Sequence, residues 1–78
     1  MIEKIREIAA EVFELDAREI AHDLRREDVD LWDSLAQLRL VSTLEQEFGI
    51  QLSMQEIESL DGIARVIEVV RGHLGGAP

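Results

Sequence analysis

The chain contains no cysteine, no tyrosine, a single proline and only three aromatic residues, Trp32, Phe13 and Phe48. The absence of cysteine excludes disulfide frameworks, thiolate metal ligands and cysteine nucleophiles, so any thiol chemistry has to be brought in by another molecule. Because aromatic side chains are so few, aliphatic residues must fill nearly all of the core. Small helices pack readily in this way, and the composition therefore favours a helical domain.

Positive charge is also scarce: 8 lysines and arginines stand against 17 aspartates and glutamates, a net charge of −9. Such a surface repels phosphate backbones, and because no basic stripe is present, we expect no binding to nucleic acid. Basic protein partners are the natural complement to this surface. The N-terminus lacks the features of a signal peptide, and no stretch approaches transmembrane length. We therefore expect a cytoplasmic protein that does not bind membranes.

The chain of 78 residues is too short to divide into two cores, so it is expected to form one domain over residues 1–78 with a flexible tail at about 75–78. A hydrophobic fraction of 46% with 32% charged residues is ordinary for a folded domain and too apolar for an acidic disordered tail. We expect a monomer. The start at Met1 and the short tail favour a free-standing protein over a domain from a larger synthase, which stays an alternative.

Apolar residues at steps of three and four predict four helices, over residues 2–13, 34–48 and 54–59 and, after an Asp61 cap, from residue 63 through Gly72. The segment from Glu14 to Asp33 is predicted to be a long ordered connection, with room for a short helical turn between Arg18 and Arg26. Gly49 is placed to stop the second helix. These patterns predict an all-α fold with a long first loop and a short third helix.

The second helix has the clearest signals. Its predicted core-facing residues, with Leu40 widening the stripe, are Leu35, Leu38, Val41, Leu44 and Phe48. At its start Asp33 or Ser34 can accept a hydrogen bond from the free amides, and Gln37 stands three residues after Ser34. Ser53 and Glu56 repeat this capping pattern before the third helix.

Ser34 is the candidate site residue. At a helix N-terminus the unpaired amides and the helix dipole favour a phosphate group on a serine oxygen. A serine that holds a swinging arm must also project into solvent while the helix behind it stays rigid. The position of Ser34, between a loop and a strongly periodic helix, meets both requirements.

The stretch from Leu31 to Ile50 resembles the acyl and peptidyl carrier proteins, and within them the free-standing acyl carrier proteins of specialised metabolism. The resemblance covers nearly the whole chain and rests on Asp33-Ser34-Leu35, on the apolar spacing through Leu44 and on the Glu45-Gln46-Glu47-Phe48-Gly49-Ile50 end of the helix. It implies a four-helix bundle of the acyl-carrier-protein type. It further implies that Ser34 carries 4'-phosphopantetheine, with Asp33 beside it and Leu35 as an apolar contact for visiting enzymes.

The resemblance implies a carrier and not an enzyme. An acyl or aminoacyl cargo would be bound to the arm as a thioester, in polyketide, nonribosomal peptide or modified lipid biosynthesis. The implied partners are a phosphopantetheinyl transferase, a loading ligase or acyltransferase, and condensing or transferring enzymes. The alternative is an unmodified acidic helical interaction domain in which Ser34 only caps. A single serine without a histidine in plausible reach offers no nucleophile and base pair, which argues against a hydrolase.

Two departures from the family pattern stand out. Leu31 and Trp32 stand where many members have a glycine, which bears on the subtype more than on membership. Arg39 stands where fatty-acid-synthesis carriers often place an acidic residue, so a dedicated set of enzymes is expected. The predicted docking residues are Leu35, Arg39, Glu45, Glu47 and Glu56, with Glu58 and Asp61 extending an acidic surface free of nearby cations.

Trp32 is expected to cover the core where the loop meets the second helix, with a partner contact as the alternative. No metal site is predicted. His22 and His73 are read as surface residues without ligand partners. A calcium loop starting at Asp28 fails because its sixth place holds Asp33 and its twelfth holds Arg39.

Overall fold

The computed structural model describes residues 1–75 and contains four α-helices: α1 (Ile2–Phe13), α2 (Ser34–Phe48), α3 (Met54–Glu58) and α4 (Ile63–His73). The predicted all-α fold, its long first loop and its short third helix are confirmed. Residues 76–78, which make up most of the predicted tail, lie outside the described residues. None of the described helices is both long enough and apolar enough to cross a membrane.

The core lies between α1, α2, α4 and the long loop. It is almost wholly aliphatic, as the composition predicts, and its largest fully buried side chains are Phe13, Ile5, Ile20, Leu40, Leu44, Leu60, Ile63 and Ile67. The short helix α3 contributes no buried residue of its own. It is held at the core by Leu52 before it, Leu60 after it and the half-buried Ile57 within it.

The predicted core stripe of α2 is confirmed for Leu40, Val41 and Leu44 and wrong for Leu35 and Leu38. The first three are buried, whereas Leu35 and Leu38 are 68% and 60% exposed. The buried side of the first turn is formed instead by Ala36 and Gln37, and Phe48 is only half-buried. Helical spacing identifies a face, but two apolar faces compete here, and the neighbouring helices cover only one of them.

The long first loop is ordered by arginine side chains. Arg6 of α1 donates from its guanidinium to the carbonyl oxygens of Ala17 and Ile20, each at 3.0 Å. Arg26 donates in the same way to the carbonyl of Trp32, also at 3.0 Å. Helical turns do occur in the loop, but as two short 3₁₀ turns, Ala17–Glu19 and Arg26–Asp28, at the edges of the predicted region.

The loop also pairs with the start of α4. The Arg26 amide donates to the Asp61 carbonyl and the Ile63 amide to the Leu24 carbonyl, both at 2.9 Å. Gly62 lies between these bonds and is the N-cap of α4, with no side-chain cap. The prediction that Asp61 caps this helix is therefore wrong: its carbonyl is used by the loop, and its carboxylate lies 3.6 Å from the Arg25 guanidinium.

Two other helix boundaries follow local rules. Gly49 ends α2 in the left-handed conformation, at φ 63°, as its position predicts. At the start of α3, the Ser53 hydroxyl accepts from the Glu56 amide at 3.1 Å while the Glu56 carboxylate accepts from the Ser53 amide at 2.9 Å. This reciprocal pair confirms the predicted capping box.

Candidate functional site

Ser34 is the first residue of α2 and is exposed. The residue before it, Asp33, is the N-cap: its carboxylate accepts a 2.9 Å hydrogen bond from the Ala36 amide. Sequence alone left open whether Asp33 or Ser34 caps the helix, and the structure assigns the cap to Asp33. No described residue hydrogen-bonds to the Ser34 hydroxyl, which leaves that oxygen free for chemistry.

The surroundings of the Ser34 hydroxyl suit a phosphodiester. The amides at the start of α2 form the positive end of the helix dipole, and this end favours a negative group on the serine oxygen. The nearest carboxylate in sequence, Asp33, is directed at the Ala36 amide. A hydroxyl that is both exposed and free, on a helix anchored in the core, fits an attachment point for a phosphate-linked arm.

A buried polar bridge fixes the chain on both sides of Ser34. Trp32 is 3% exposed, and its ring stacks on Phe13 with centroids 4.6 Å apart. Its indole nitrogen donates to the Gln37 amide oxygen at 2.6 Å, and the Gln37 amide nitrogen donates to the Ile57 carbonyl at 2.7 Å. The bridge thus joins the end of the loop, the first turn of α2 and the short helix α3.

This bridge corrects one interpretation and supports another. The capping pattern predicts Gln37 as the partner of Ser34, but its side chain is buried and bonds instead to the Trp32 indole and the Ile57 carbonyl. Burial of Trp32 confirms that it covers the core where the loop meets α2. A buried indole nitrogen needs an acceptor, and a glutamine five residues later on the first turn of the helix was the signal available for finding this pair.

Beyond Ser34, the outer face of α2 is apolar and cationic. Leu35, Leu38, Arg39 and Ser42 are all exposed and follow one another at helical spacing. The stretch from Ser34 to Leu44 contains a single ionisable residue, Arg39. No described carboxylate forms an ion pair with its guanidinium.

The predicted acidic surface is not free of cations. Glu47 forms a 2.9 Å salt bridge to Lys4 across α1 and α2, and Glu56 lies 2.9 Å from the His73 imidazole. The Glu45 carboxylate accepts a 2.9 Å hydrogen bond from the Leu52 amide. The expectation is therefore wrong for Glu47 and Glu56, as it is for Asp61, because their partners come from distant segments. Their docking roles stay predictions.

The pKa values reflect these contacts. The hydrogen bond from Lys4 to Glu47, together with the charge of that carboxylate, raises the pKa of the Lys4 amine. The Ser53 amide and then the His73 side chain lower the pKa of the Glu56 carboxyl. His73 is thus at the surface as predicted but has a polar partner, whereas His22 is simply exposed. Within residues 1–75 no three histidine, aspartate or glutamate side chains are grouped to hold a metal ion.

The fold and the site define a small helical domain that presents one free serine hydroxyl at the head of a core-anchored helix. Comparison with known proteins agrees: residues 3–70 match the family described as phosphopantetheine attachment site. Because that match spans most of the chain, the protein belongs to this family, and within it to the acyl carrier proteins.

Relatives of known type support the assignment. The chain is 35% identical over 74 residues to polyketide-8 synthase acyl carrier protein 2 of Streptomyces avermitilis, covering 94% of this chain and 84% of that protein. It is 30% identical over 73 residues to the acyl carrier protein of Clostridium acetobutylicum, covering 94% and 95%. The solution structure of holo acyl carrier protein from Geobacter metallireducens superposes with a TM-score of 0.82 at 25% identity, covering 94% and 84%.

Membership confirms four expectations from the sequence: the acyl-carrier-protein type of bundle, the carrier family, a covalently attached 4'-phosphopantetheine and the role of a carrier rather than an enzyme. When bound, the arm supplies a terminal thiol on which a cargo is held as a thioester. Its partners are enzymes such as transferases and synthases that act on the cargo.

Proposed function

We propose that Ser34 is the residue that carries the phosphopantetheine arm. The observation behind this assignment is the free, exposed hydroxyl at the first position of α2. The other serines are less suited: the hydroxyls of Ser53 and Ser59 are engaged in hydrogen bonds, and Ser42 lies in the middle of α2. A serine between a loop and a helix also gives an attached arm the widest range of directions.

Attachment would proceed by a phosphoryl transfer. The Ser34 hydroxyl oxygen attacks the phosphorus of coenzyme A that bears pantetheine, and an oxygen–phosphorus bond forms as the pyrophosphate bond breaks. The adenosine bisphosphate part of coenzyme A leaves, and the transferase accepts the serine proton. The positive end of α2 favours the phosphodiester that results.

Asp33 and Leu35 frame this serine. The Asp33 cap fixes the first turn of α2 and thereby the direction of the serine side chain. Leu35, next in the chain and largely exposed, offers an apolar contact to an enzyme that reaches for the arm. The remaining docking residues of this proposal are Arg39, Glu45, Glu47 and Glu56.

The cargo is an acyl or aminoacyl group in specialised biosynthesis, of the polyketide, nonribosomal peptide or modified lipid kind. The likeness to a polyketide synthase acyl carrier protein supports this, as does the positive charge of Arg39. The partners are a phosphopantetheinyl transferase, a loading ligase or acyltransferase, and condensing or transferring enzymes. The whole chain acts as a single cytoplasmic, monomeric carrier domain that binds neither nucleic acid nor membranes.

The tether explains how a carrier without catalytic groups speeds a pathway. An arm on Ser34 holds the cargo near each bound enzyme at an effective concentration on the order of millimolar. Each partner then needs only weak affinity for the carrier itself. Charge complementarity acts mainly on the rate at which the two proteins meet.

The test is modification by a promiscuous phosphopantetheinyl transferase with coenzyme A, followed by the mass of the intact protein. One arm should be added to the wild type and to Ser42→Ala, which removes a serine from the same helix, and none to Ser34→Ala. An arm on Ser34→Ala would contradict the assignment. No addition to the wild type, under conditions that modify a control carrier, would favour an unmodified interaction domain.

A further inference from the structure

We propose that partner enzymes dock on the outer face of α2 by placing a carboxylate, surrounded by apolar side chains, opposite Arg39. This inference rests on the proposed function, since it concerns enzymes that act on an arm at Ser34. The outer face is defined by Leu35, Leu38, Arg39 and Ser42, which are all exposed. It begins directly beside Ser34, so an enzyme that takes the arm has to approach it.

The apolar part of the face points to a protein partner. Leu35 and Leu38 are 68% and 60% exposed, and they are neighbours at a spacing of three on the same helix. Exposed leucines arranged together in this way expose apolar surface that a partner can cover, and covering it is favourable. Contact here would bring Arg39 into the interface, because it lies one turn beyond Leu35.

The charge of the face is opposite to that of the whole chain. With a net charge of −9, the protein places no acidic residue between Ser34 and Leu44, and Arg39 is the single ionisable residue there. The two carboxylates that flank this stretch on α2 are both committed to backbone amides: Asp33 to Ala36 and Glu45 to Leu52. Neither compensates the Arg39 guanidinium.

Because the Arg39 guanidinium has no carboxylate partner within this protein, it determines which charge a docking enzyme must place opposite it. Removing it from water against leucine alone would leave a buried, unpaired charge, which is strongly unfavourable. A carboxylate of the partner neutralises this buried charge, and the planar guanidinium can bind it through two parallel hydrogen bonds. A partner with lysine or arginine at that place would be repelled. The net negative charge of the chain therefore does not predict the charge of the outer face of α2 beside Ser34.

The test uses two phosphopantetheinyl transferases as probes, one with acidic residues on its carrier-docking face and one with lysine and arginine there. The wild type should be modified at a higher kcat/KM by the acidic-faced enzyme. Arg39→Glu should lower that rate by about tenfold and raise the rate with the basic-faced enzyme. Raising the sodium chloride concentration should shrink both differences, because exposed charges are screened by salt.

Arg71→Glu is the matched control, because it makes the same change of charge at an exposed position in the last turn of α4. It should leave the preference between the two enzymes unchanged. Arg39→Glu should also keep the thermal midpoint, since the exposed guanidinium forms no hydrogen bond or ion pair with a described residue. A loss of rate then reports on docking and not on folding.

The outcomes separate two kinds of failure. If Arg39→Glu is modified by the acidic-faced enzyme as fast as the wild type, or if the wild type prefers the basic-faced enzyme, the docking proposal is overturned while the role of Ser34 stands. If neither enzyme adds an arm to the wild type while both modify a control carrier, the proposed function fails and the docking proposal fails with it.

Discussion

The indole nitrogen of Trp32 and the amide oxygen of Gln37 lie 2.6 Å apart in the interior, and the same Gln37 side chain reaches the Ile57 carbonyl at 2.7 Å. Gln37 is the one buried polar or charged residue among those that the structure describes. Both ends of its amide are satisfied, so its burial does not carry the penalty of an unpaired polar group. This side chain holds α3 against the first turn of α2, next to Ser34.

Replacing Gln37 with methionine should destabilise the fold by about 1–3 kcal/mol, because the Trp32 indole is left buried without an acceptor. The Ile57 carbonyl loses the Gln37 donor but keeps a 3.3 Å bond from the Leu60 amide. The free energy of unfolding is measured by urea denaturation. The matched control is Gln46→Met, an exposed position on the same helix, where a change within about 0.5 kcal/mol is expected.

The double variant Trp32→Phe/Gln37→Met tests the bridge itself. Trp32→Phe removes the indole donor, so adding Gln37→Met then leaves no buried indole unpaired and only weakens the bonding of the Ile57 carbonyl. The loss in the free energy of unfolding of the double variant should be about 1 kcal/mol smaller than the sum of the losses of the two single variants. Strict additivity would show that the two side chains do not act together.

Gly62 and Gly72 should respond in opposite directions to alanine. A Cβ at Gly62 would lie 3.0 Å from the Leu24 carbonyl oxygen, a backbone atom held by the bond to the Ile63 amide. We expect a loss of about 1–3 kcal/mol from overpacking. Gly72 lies in α4 with open space around its Cβ position, so alanine there should stabilise by about 0.5–1 kcal/mol. Thermal or urea unfolding of both variants measures the difference, and equal effects would contradict the role of Gly62.

Loss of the Arg6 guanidinium should lower the free energy of unfolding by more than is usual for a partly exposed arginine. Arg6→Met keeps the aliphatic stem but removes the donors to the Ala17 and Ile20 carbonyls. Because the side chain is 31% exposed, water can replace part of the lost bonding, and we expect about 1–2 kcal/mol of destabilisation in urea unfolding. The control is Arg71→Met on α4, which should change the free energy of unfolding by less than about 0.5 kcal/mol.

The features that sequence predicted correctly are local ones. The Gly49 stop and the Ser53–Glu56 capping box depend on residues within four positions of each other. Where a distant segment intervenes, as the long loop does at Asp61, the local signal fails. The position of Ser34 at the head of α2 follows from the same kind of signal. The location of the candidate site was therefore predictable from the chain alone.

The features that sequence missed join distant segments. Gln37 meets a carbonyl 20 residues away, and His73 meets Glu56 across 17 residues. Periodicity carries no information on such pairs, which is why the sequence predicts these acidic residues to be unpaired. The error at Leu35 and Leu38 has a different cause: both are apolar but exposed, and a pattern of apolar residues cannot tell a core face from an exposed apolar face.

The Glu56 carboxylate makes stability depend on pH in a predictable direction. The Ser53 amide and the His73 imidazole lower its pKa below the ordinary value of 4.5 in the folded protein. A carboxyl whose pKa is lower in the folded state contributes stability that is complete above the unfolded value and is lost as the pH falls through the folded value. Wild-type stability should therefore decline at acid pH in part through this group, and Glu56→Gln should remove that part of the decline.

An NMR titration of the Glu56 side-chain carboxyl measures the shift directly. In the wild type its pKa should lie below 4.5, and His73→Gln should raise it only part of the way, because the Ser53 amide is the larger cause. The exposed His22→Gln, which alters the other histidine, should leave the pKa of Glu56 where it is. A wild-type pKa at or above 4.5 would show that neither the Ser53 amide nor the His73 imidazole bonds to this carboxylate in solution.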